Sequence, residues 1–273
     1  SRSSPRAWPR WSSGGESGVR FVVHAEDSVD STQTEAQRLA AQGAPEGTVV
    51  TARHQRAGRG QRGHEWWDDP GDSLLASLLL RPPAPLATAP QLSLVAGLAV
   101  ADALDAVGVD ARIRWPNDVL VRERKVCGIL AEASSGHATR GGHGAEDLHH
   151  VILGIGINLN QTRFPDALAD RATSLRLITG GVHDRDAMLG ALLARIGRRY
   201  ATWLTGGFRA LRSDWLARSL LPGQMVRLPD GTLGAGEDVR DDGVLLARAS
   251  DGRLVPVVSG GAVEEATAHA PRH

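Results

Sequence analysis

Four short stretches hold residue types that bind or activate anions. The first is Gly58-Arg-Gly-Gln-Arg-Gly-His-Glu-Trp66. Its glycines at 58, 60 and 63 let backbone N–H groups converge, and Arg59 and Arg62 add fork-shaped donors. Such a loop suits a phosphate or an adenylate, and equally a surface turn with solvated arginines. The literal G-x-G-x-x-G is no dinucleotide fingerprint: Trp66-Trp-Asp-Asp-Pro70 starts a helix poorly, and about 20 residues on lies a proline cluster. In Arg114-Trp-Pro-Asn-Asp118, Asn117 and Asp118 either cap a hairpin or offer an amide and a carboxylate to a ligand. Lys125-Val-Cys-Gly128-Ile-Leu130 sets an ammonium three residues before a glycine that permits close backbone approach. Gly154-Ile-Gly156-Ile-Asn158 reads as a bulged strand end, or as a backbone platform with Asn158 aimed at a base edge.

Lys125 stands out for another reason. Of 31 basic residues it is the one lysine. A coding bias toward arginine explains most of that asymmetry, yet a lysine that persists suits a position needing a compact ammonium rather than a planar guanidinium. The 31 acidic residues balance the basic ones, so the net charge is zero, which disfavours nucleic-acid binding as the main activity. The apolar stretches around 92–107 and 151–157 fall short of the roughly 18–20 residues that span a bilayer. The amino-terminal residues lack the apolar core of a secretory signal, and the one cysteine, Cys127, permits no internal disulfide. Together these features predict a soluble, cytoplasmic protein.

The elements that must position these residues follow from periodicity. Strands are predicted from Phe21, over 48–53 and over 73–80. A capping box at Thr32 and Glu35 opens a helix that Gly43 closes. A long helix lies between Pro90 and Gly108. Strand 111–115, a hairpin through 119–133 and strand 151–160 come next, then helices over about 184–204 and 208–220. Beyond Gly223 the pattern changes to short alternating runs split by Asp-Gly pairs at 230, 242 and 251, each predicting a type I′ hairpin in a small barrel or sandwich. The expected organisation is a disordered tail (1–18), an α/β (α+β) domain with a mixed sheet flanked by helices (19–221), a small β-barrel (222–268) and a tail (269–273).

Taken together and in this order, the stretches resemble the biotin protein ligases. That family shows D-S-T-N, G-R-G-R-x-G-R-x-W, K-W-P-N-D, K-x-x-G-I-L and G-x-G-x-N, followed by a small SH3-like barrel. Here stand Asp30-Ser-Thr-Gln33, the 58–66 loop, Arg114–Asp118, Lys125–Leu130 and Gly154–Asn158.

The resemblance implies a two-step reaction. Biotin's carboxylate attacks the α-phosphate of ATP to give biotinyl-5′-adenylate, and a lysine of a biotin carboxyl carrier protein then takes the biotin and releases AMP. Joining two anions calls for Mg²⁺ and basic side chains. Matched by position, Ser31, Thr32, Gln55, Gly58, Arg59, Gln61, Trp66, Lys125, Gly128 and Gly154 are expected to bind biotin. Arg59, Arg62, Trp66, Asn117, Lys125 and Asn158 are expected to bind the nucleotide. Lys125, Arg59 and Asp118 are the expected catalytic groups, Asp118 positioning the incoming amine or the metal. Family members often dimerise through sheet edges, which the residues leave open. The gly-rich loop is expected to order on ligand binding. An enzyme that makes an amine-reactive anhydride also has almost no lysine of its own to label.

Lipoate-attaching enzymes share the fold and are the nearest alternative, disfavoured by Trp-Pro-Asn-Asp and Gly-Arg-Gly. A biotin-sensing repressor is disfavoured because fewer than about 20 residues precede the first strand, too few for a three-helix DNA reader. His137, His143, His149 and His150 match no standard zinc spacing. Gln61 and His64 replace family arginines, so the adenylate should be held more weakly than by the full arginine set. Gln61→Arg is expected to slow biotinyl-adenylate dissociation in a stopped-flow chase; an unchanged rate rejects the idea.

Overall fold

The computed structural model describes residues 19–135 and 148–258. The expected tails (1–18 and 269–273), His137 and His143 lie outside the described residues. The chain runs β1 (Val22–Val29), α1 (Thr32–Ala41), β2 (Thr48–Gln55), β3 (Ser73–Leu80), α2 (Gln91–Asp105), β4 (Arg112–Arg114), β5 (Asp118–Val121), β6 (Arg124–Ser135) and β7 (Leu148–Asn158). It continues with α3 (Asp166–Ala169), α4 (Leu175–Thr179), α5 (Arg185–Gly206), α6 (Arg212–Arg218), β8 (Met225–Arg227), β9 (Leu233–Val239), β10 (Leu245–Arg248) and β11 (Leu254–Val257).

The first seven strands form one mixed sheet, ordered β1-β2-β3-β7-β6-β5-β4, in which only β1 and β2 are parallel. Side chains alternate across a sheet, so each strand divides into two sets. On β3 and β7, Leu74, Ala76, Leu78, Leu80, Val151, Leu153, Ile155 and Ile157 belong to the main core shared with α2 and α5. The opposite set includes Leu79 and Ile152, which pack with Val50 under Ala36 and Ala40 of α1. Further along that second face the residues become small: Ser77, Gly154 and Gly156. That stretch lies at and beyond the amino-terminal start of α1, and no helix among the described residues covers it.

The α2 segment is apolar on nearly all sides because it is sandwiched. Residues Leu86–Asp105 make a 20-residue helical stretch apolar enough to span a membrane by length and composition, but most of it is buried within the protein. The smaller carboxy-terminal sheet, ordered β11-β10-β9-β8, is antiparallel throughout.

Several boundaries differ from expectation for identifiable reasons. Ser31, not Thr32, caps α1, accepting from the Gln33 N–H at 3.2 Å, and Glu35 pairs with Arg38 instead of closing a capping box. The expected helix at 208–220 is a short 3₁₀ turn (Phe208–Ala210) followed by α6. The three Asp-Gly pairs do not form type I′ turns, since only the glycines have positive φ. Each Asp side chain instead accepts from the N–H two residues on, at Thr232, Val244 and Arg253. The flanking bonds (Leu228 to Thr232, Arg240 to Val244, Ala249 to Arg253) close three-residue loops with the glycine left-handed. The two-residue turn with positive φ at both positions is Arg122-Glu123, joining β5 to β6.

The small sheet docks on the turn between β4 and β5. Gln224 accepts from the Trp115 N–H at 3.0 Å and donates to the Trp115 carbonyl at 2.6 Å, and the Trp115 indole N–H reaches the Gly243 carbonyl at 3.4 Å. Trp115 is 1% exposed, so truncating Gln224 leaves buried backbone groups unpaired. Gln224→Ala is expected to lower unfolding free energy by roughly 1–3 kcal/mol in urea titrations. It should also reduce turnover, because Asn117 and Asp118 follow directly in the same turn.

Candidate functional site

The patch of the sheet at Ser77, Gly154 and Gly156 is the floor of a cleft of about 460 Å³, part of it open to solvent. Its lining includes Ser31, Thr32, Gln33, Gln55, Arg59, Gln61, Trp66, Ser77, Asn117, Lys125, Gly128, Gly154 and Gly156. All four stretches singled out in the sequence therefore meet at one place. Gly58, Asp118 and Asn158 do not line the cleft, and the Arg62 side chain lies outside the described residues.

A β-bulge explains the Lys-x-x-Gly spacing. Asp118 pairs with Gly128 and Val119 with Cys127, but Leu120 pairs with Lys125, so Val126 is an extra residue on β6. In a regular strand residues 125 and 128 face opposite sides. The bulge returns Lys125 to the side of Gly128, while Val126 and Cys127 are both fully buried in the core. Burial raises the Cys127 thiol well above its usual range, so it is inert packing. The backbone of Lys125 is held from the other side by Arg171 and Thr173, through bonds of 2.7 and 2.9 Å.

The Lys125 ammonium lies 2.6 Å from Asp118 Oδ1, and Arg114 donates to Asp118 Oδ2 at 2.8 Å. Burial works to raise the Asp118 pKa, but Lys125 and then Arg114 outweigh it and hold the carboxyl below its ordinary value. Asp118 is thus ionised and already shared between two cations.

The glycines serve a different partner from the one expected. Gly128 and Gly156 face each other across β6 and β7, and the Trp66 indole lies over that pair. A Cβ at either position would come within 2.7 Å or less of the ring. The close approach at Gly128 is therefore by Trp66, which closes one end of the 58–66 loop and forms an apolar wall 5.7 Å from the Lys125 ammonium.

The loop itself is a small hairpin, closed by Trp66 N–H to the Gly58 carbonyl (3.0 Å) and Gly60 N–H to the His64 carbonyl (2.7 Å). Its front is tied by Arg59, whose guanidinium grips Glu132 of β6 at 2.5 and 3.3 Å. Glu132 also accepts from Gln37 of α1 at 2.7 Å. The expectation of a loop with little to hold it before ligand binds overlooked this tie, because Glu132 lies outside every motif.

The deep end of the cleft is a buried polar cluster. Gln55 Oε1 accepts from the Thr32 N–H (2.8 Å) and hydroxyl (3.0 Å). The Thr32 hydroxyl also meets that of Ser77 at 2.9 Å. The Ser77 hydroxyl donates to Gln33 Oε1 at 3.1 Å, and the Gln33 amide donates to the Ile152 carbonyl. Ser77 escaped sequence reasoning, hidden in an apolar run; its signal was the alternation that sets Ser73, Leu75 and Ser77 on one face. Asn117 lines the cleft with its amide donating to the Ile129 carbonyl at 2.9 Å. Asn158, expected at a base edge, is 4% exposed and donates to the Thr173 carbonyl at 3.0 Å, which steadies the segment that holds Lys125. Among the described residues no group of three His, Cys, Asp or Glu side chains can hold a metal ion, His149 and His150 included.

Comparison with known proteins agrees with this geometry. Residues 26–158 match the biotin/lipoate A/B protein ligase family model. The chain is 40% identical to the biotin–[acetyl-CoA-carboxylase] ligase of Paracoccus denitrificans, over 83% of this chain and 94% of that one. It is 38% identical to the bifunctional ligase/repressor BirA of Bacillus spizizenii, over 87% and 75%. The biotin protein ligase of Aquifex aeolicus, solved in complex with biotin and ATP, superposes with a TM-score of 0.72 at 31% identity, over 88% of this chain and 96% of that one. The chain belongs to the biotin/lipoate A/B protein ligase family. Within it, the full-length likeness is to biotin ligases.

Removing the Arg59 tie should free the loop without unfolding the protein, since both partners are partly solvated. Glu132→Ala is expected to speed tryptic cleavage within 59–62 by roughly 2–5-fold, the effect of one exposed ion pair, with Tm little changed.

Proposed function

We propose that this chain activates biotin with ATP to biotinyl-5′-adenylate and transfers the biotin to a lysine of a carrier protein. The observation that carries the reading is convergence: a lysine and an arginine loop line one cleft whose deep end is a buried polar cluster. Thr32, Gln55, Gln33 and Ser77 offer a ring of donors and acceptors suited to biotin's ureido head, with Ser31 beside them at the helix start. Gln61 and the Trp66 indole wall the cavity alongside Gly154. Lys125 and Arg59 supply fixed positive charge where carboxylate and α-phosphate oxygens join, so the charge is compensated without reorganisation. Asn117 lines the same cleft, and the family resemblance assigns it and Arg62 to the nucleotide.

Two expected roles change with the geometry. Asp118 is held by Lys125 and Arg114 and does not line the cleft, so we assign it to orienting Lys125, where the resemblance had it positioning the incoming amine or the metal. Asn158 acts through the segment that holds Lys125. Magnesium keeps several waters and takes only one or two carboxylates, so it would enter this cleft on the nucleotide's phosphates rather than in a cage of protein ligands.

The acceptor is a carrier protein, and we take it to be the biotin carboxyl carrier domain of a biotin-dependent carboxylase. The reading requires neither nucleic acid nor a membrane, and fits a cytoplasmic enzyme acting as monomer or homodimer, with the boundary of the small carboxy-terminal domain near Pro222. ATP–pyrophosphate exchange should be driven by biotin and not by lipoate. Lys125→Ala should lower it by about 10²–10³, the usual effect of losing one preorganised electrostatic contact. Exchange driven by lipoate alone would overturn the biotin assignment.

A further inference from the structure

A hydroxyl carries one proton, so the direction of each hydrogen bond in the polar cluster at the deep end of the cleft follows from counting. Two backbone groups start the count. The Thr32 N–H only donates, and it meets Gln55 at 2.8 Å, which fixes that atom as the amide oxygen, Oε1. The Ile152 carbonyl only accepts, and it meets Gln33 at 3.0 Å, which fixes that atom as the amide nitrogen, Nε2. Reversing either carboxamide would set two donors or two acceptors against each other. Packing holds Gln33 further: a Cβ on Gly154 would lie 2.6 Å from Gln33 Oε1, so the amide rests directly on the strand.

The remaining directions follow. Gln33 is buried, and its Oε1 takes its proton from Ser77 Oγ, 3.1 Å away. With that proton engaged, Ser77 only accepts toward Thr32 Oγ1, at 2.9 Å. The Thr32 hydroxyl proton then has two acceptors in reach, Ser77 Oγ at 2.9 Å and Gln55 Oε1 at 3.0 Å. In either arrangement the proton is engaged within the protein, and Thr32 offers the cleft its lone pairs alone. Ser77 is fully buried, so a ligand meets Thr32, while Ser77 and Gln33 act through it.

We propose that Ser77 and Gln33 are positioning residues that fix the polarity of Thr32, so that this point of the cleft takes a ligand atom carrying hydrogen and rejects one carrying a lone pair. The inference rests on the biotin reading and sharpens it. A cyclic urea N–H fits, whereas a ring oxygen in its place sets two acceptors against each other. A site arranged in this way tells N–H from oxygen at nearly the same size and shape, which apolar packing alone does not. Ser77 and Gln33 are thus specificity determinants that need not touch the ligand.

The probes are biotin and the two cyclic carbamates of the same skeleton in which one or the other ring N–H is replaced by oxygen. Isothermal titration without ATP gives, for each protein, the ratio of dissociation constants, carbamate over biotin. The isomer that wild type rejects more strongly is the one followed. Ser77→Ala removes the acceptor that draws the Thr32 proton. Gln33→Met removes the acceptor that holds the Ser77 proton and releases it toward Thr32. In each variant the ratio should fall about tenfold, the equivalent of one neutral hydrogen bond. Ser77→Thr, which keeps the hydroxyl, should retain the wild-type ratio. A merely structural contribution would weaken biotin and carbamate alike and leave the ratio where it was. A ratio that does not fall in one variant or in both overturns the proposal, as does a ratio that falls equally in Ser77→Thr. Unchanged ratios with biotin still bound sink the relay alone, whereas wild type that binds no biotin sinks the ligase reading beneath it.

Discussion

A sheet that buries both faces leaves no room for chemistry, and this protein depends on leaving part of one face empty. The device is compositional. On β3 and β7 one set of alternating residues is leucine, isoleucine, valine and alanine against α2 and α5. The other set includes Ser77, Gly154 and Gly156 beside the amino-terminal start of α1. Across the rung at Gly128 and Gly156 even a methyl group would collide with Trp66. The indole therefore sets the cleft wall, anchors the arginine loop and stands beside Lys125. Each of those functions fails if the rung is filled, which links a packing constraint directly to the site.

Charge is managed locally inside a neutral chain. The cations at the cleft are not bare: Arg59 has Glu132, while Lys125 and Arg114 share Asp118. The two arrangements differ in solvation. Arg59 and Glu132 are 42% and 27% exposed, so water and salt weaken their attraction and an incoming anion can compete for the guanidinium. Asp118 is far less exposed, and its two cations hold it ionised against the effect of burial. The exposed pair can be broken at little cost, whereas the buried one holds Lys125 in place.

Much of this was legible in the residues, for physical reasons. Alternation and helical spacing placed β3 to the residue and α2 within a few positions. The stretches that line the cleft were visible because their glycine and arginine content is chemically distinctive. What escaped were features that depend on partners distant in sequence. Glu132 and Ser77 acquire meaning only when α1, the loop and β7 come together. The Asp-Gly turns misled because the side chain of Asp can substitute for a second left-handed residue, by accepting from the N–H two positions on. Asn158 misled because a polar residue at a strand end serves a ligand or a neighbouring backbone equally well, and only burial separates the two.

The bulge at Val126 joins these threads. Sequence shows a lysine, two apolar residues and a glycine, a spacing that in a flat strand would send the ammonium into the core. The two consecutive core residues, Val126 and Cys127, instead force an extra residue into β6, and the strand turns Lys125 back toward the cleft. Hydrophobic burial, not any polar contact, thereby fixes the face on which the ammonium appears. Asp118, paired in register with Gly128, then meets it there. The small carboxy-terminal sheet supports the same point from behind, since Gln224 grips the Trp115 backbone three residues before Asp118. The position of one charged atom is set by the core on one side of the strand and by a second sheet beyond the turn, which is why its chemistry cannot be separated from the fold.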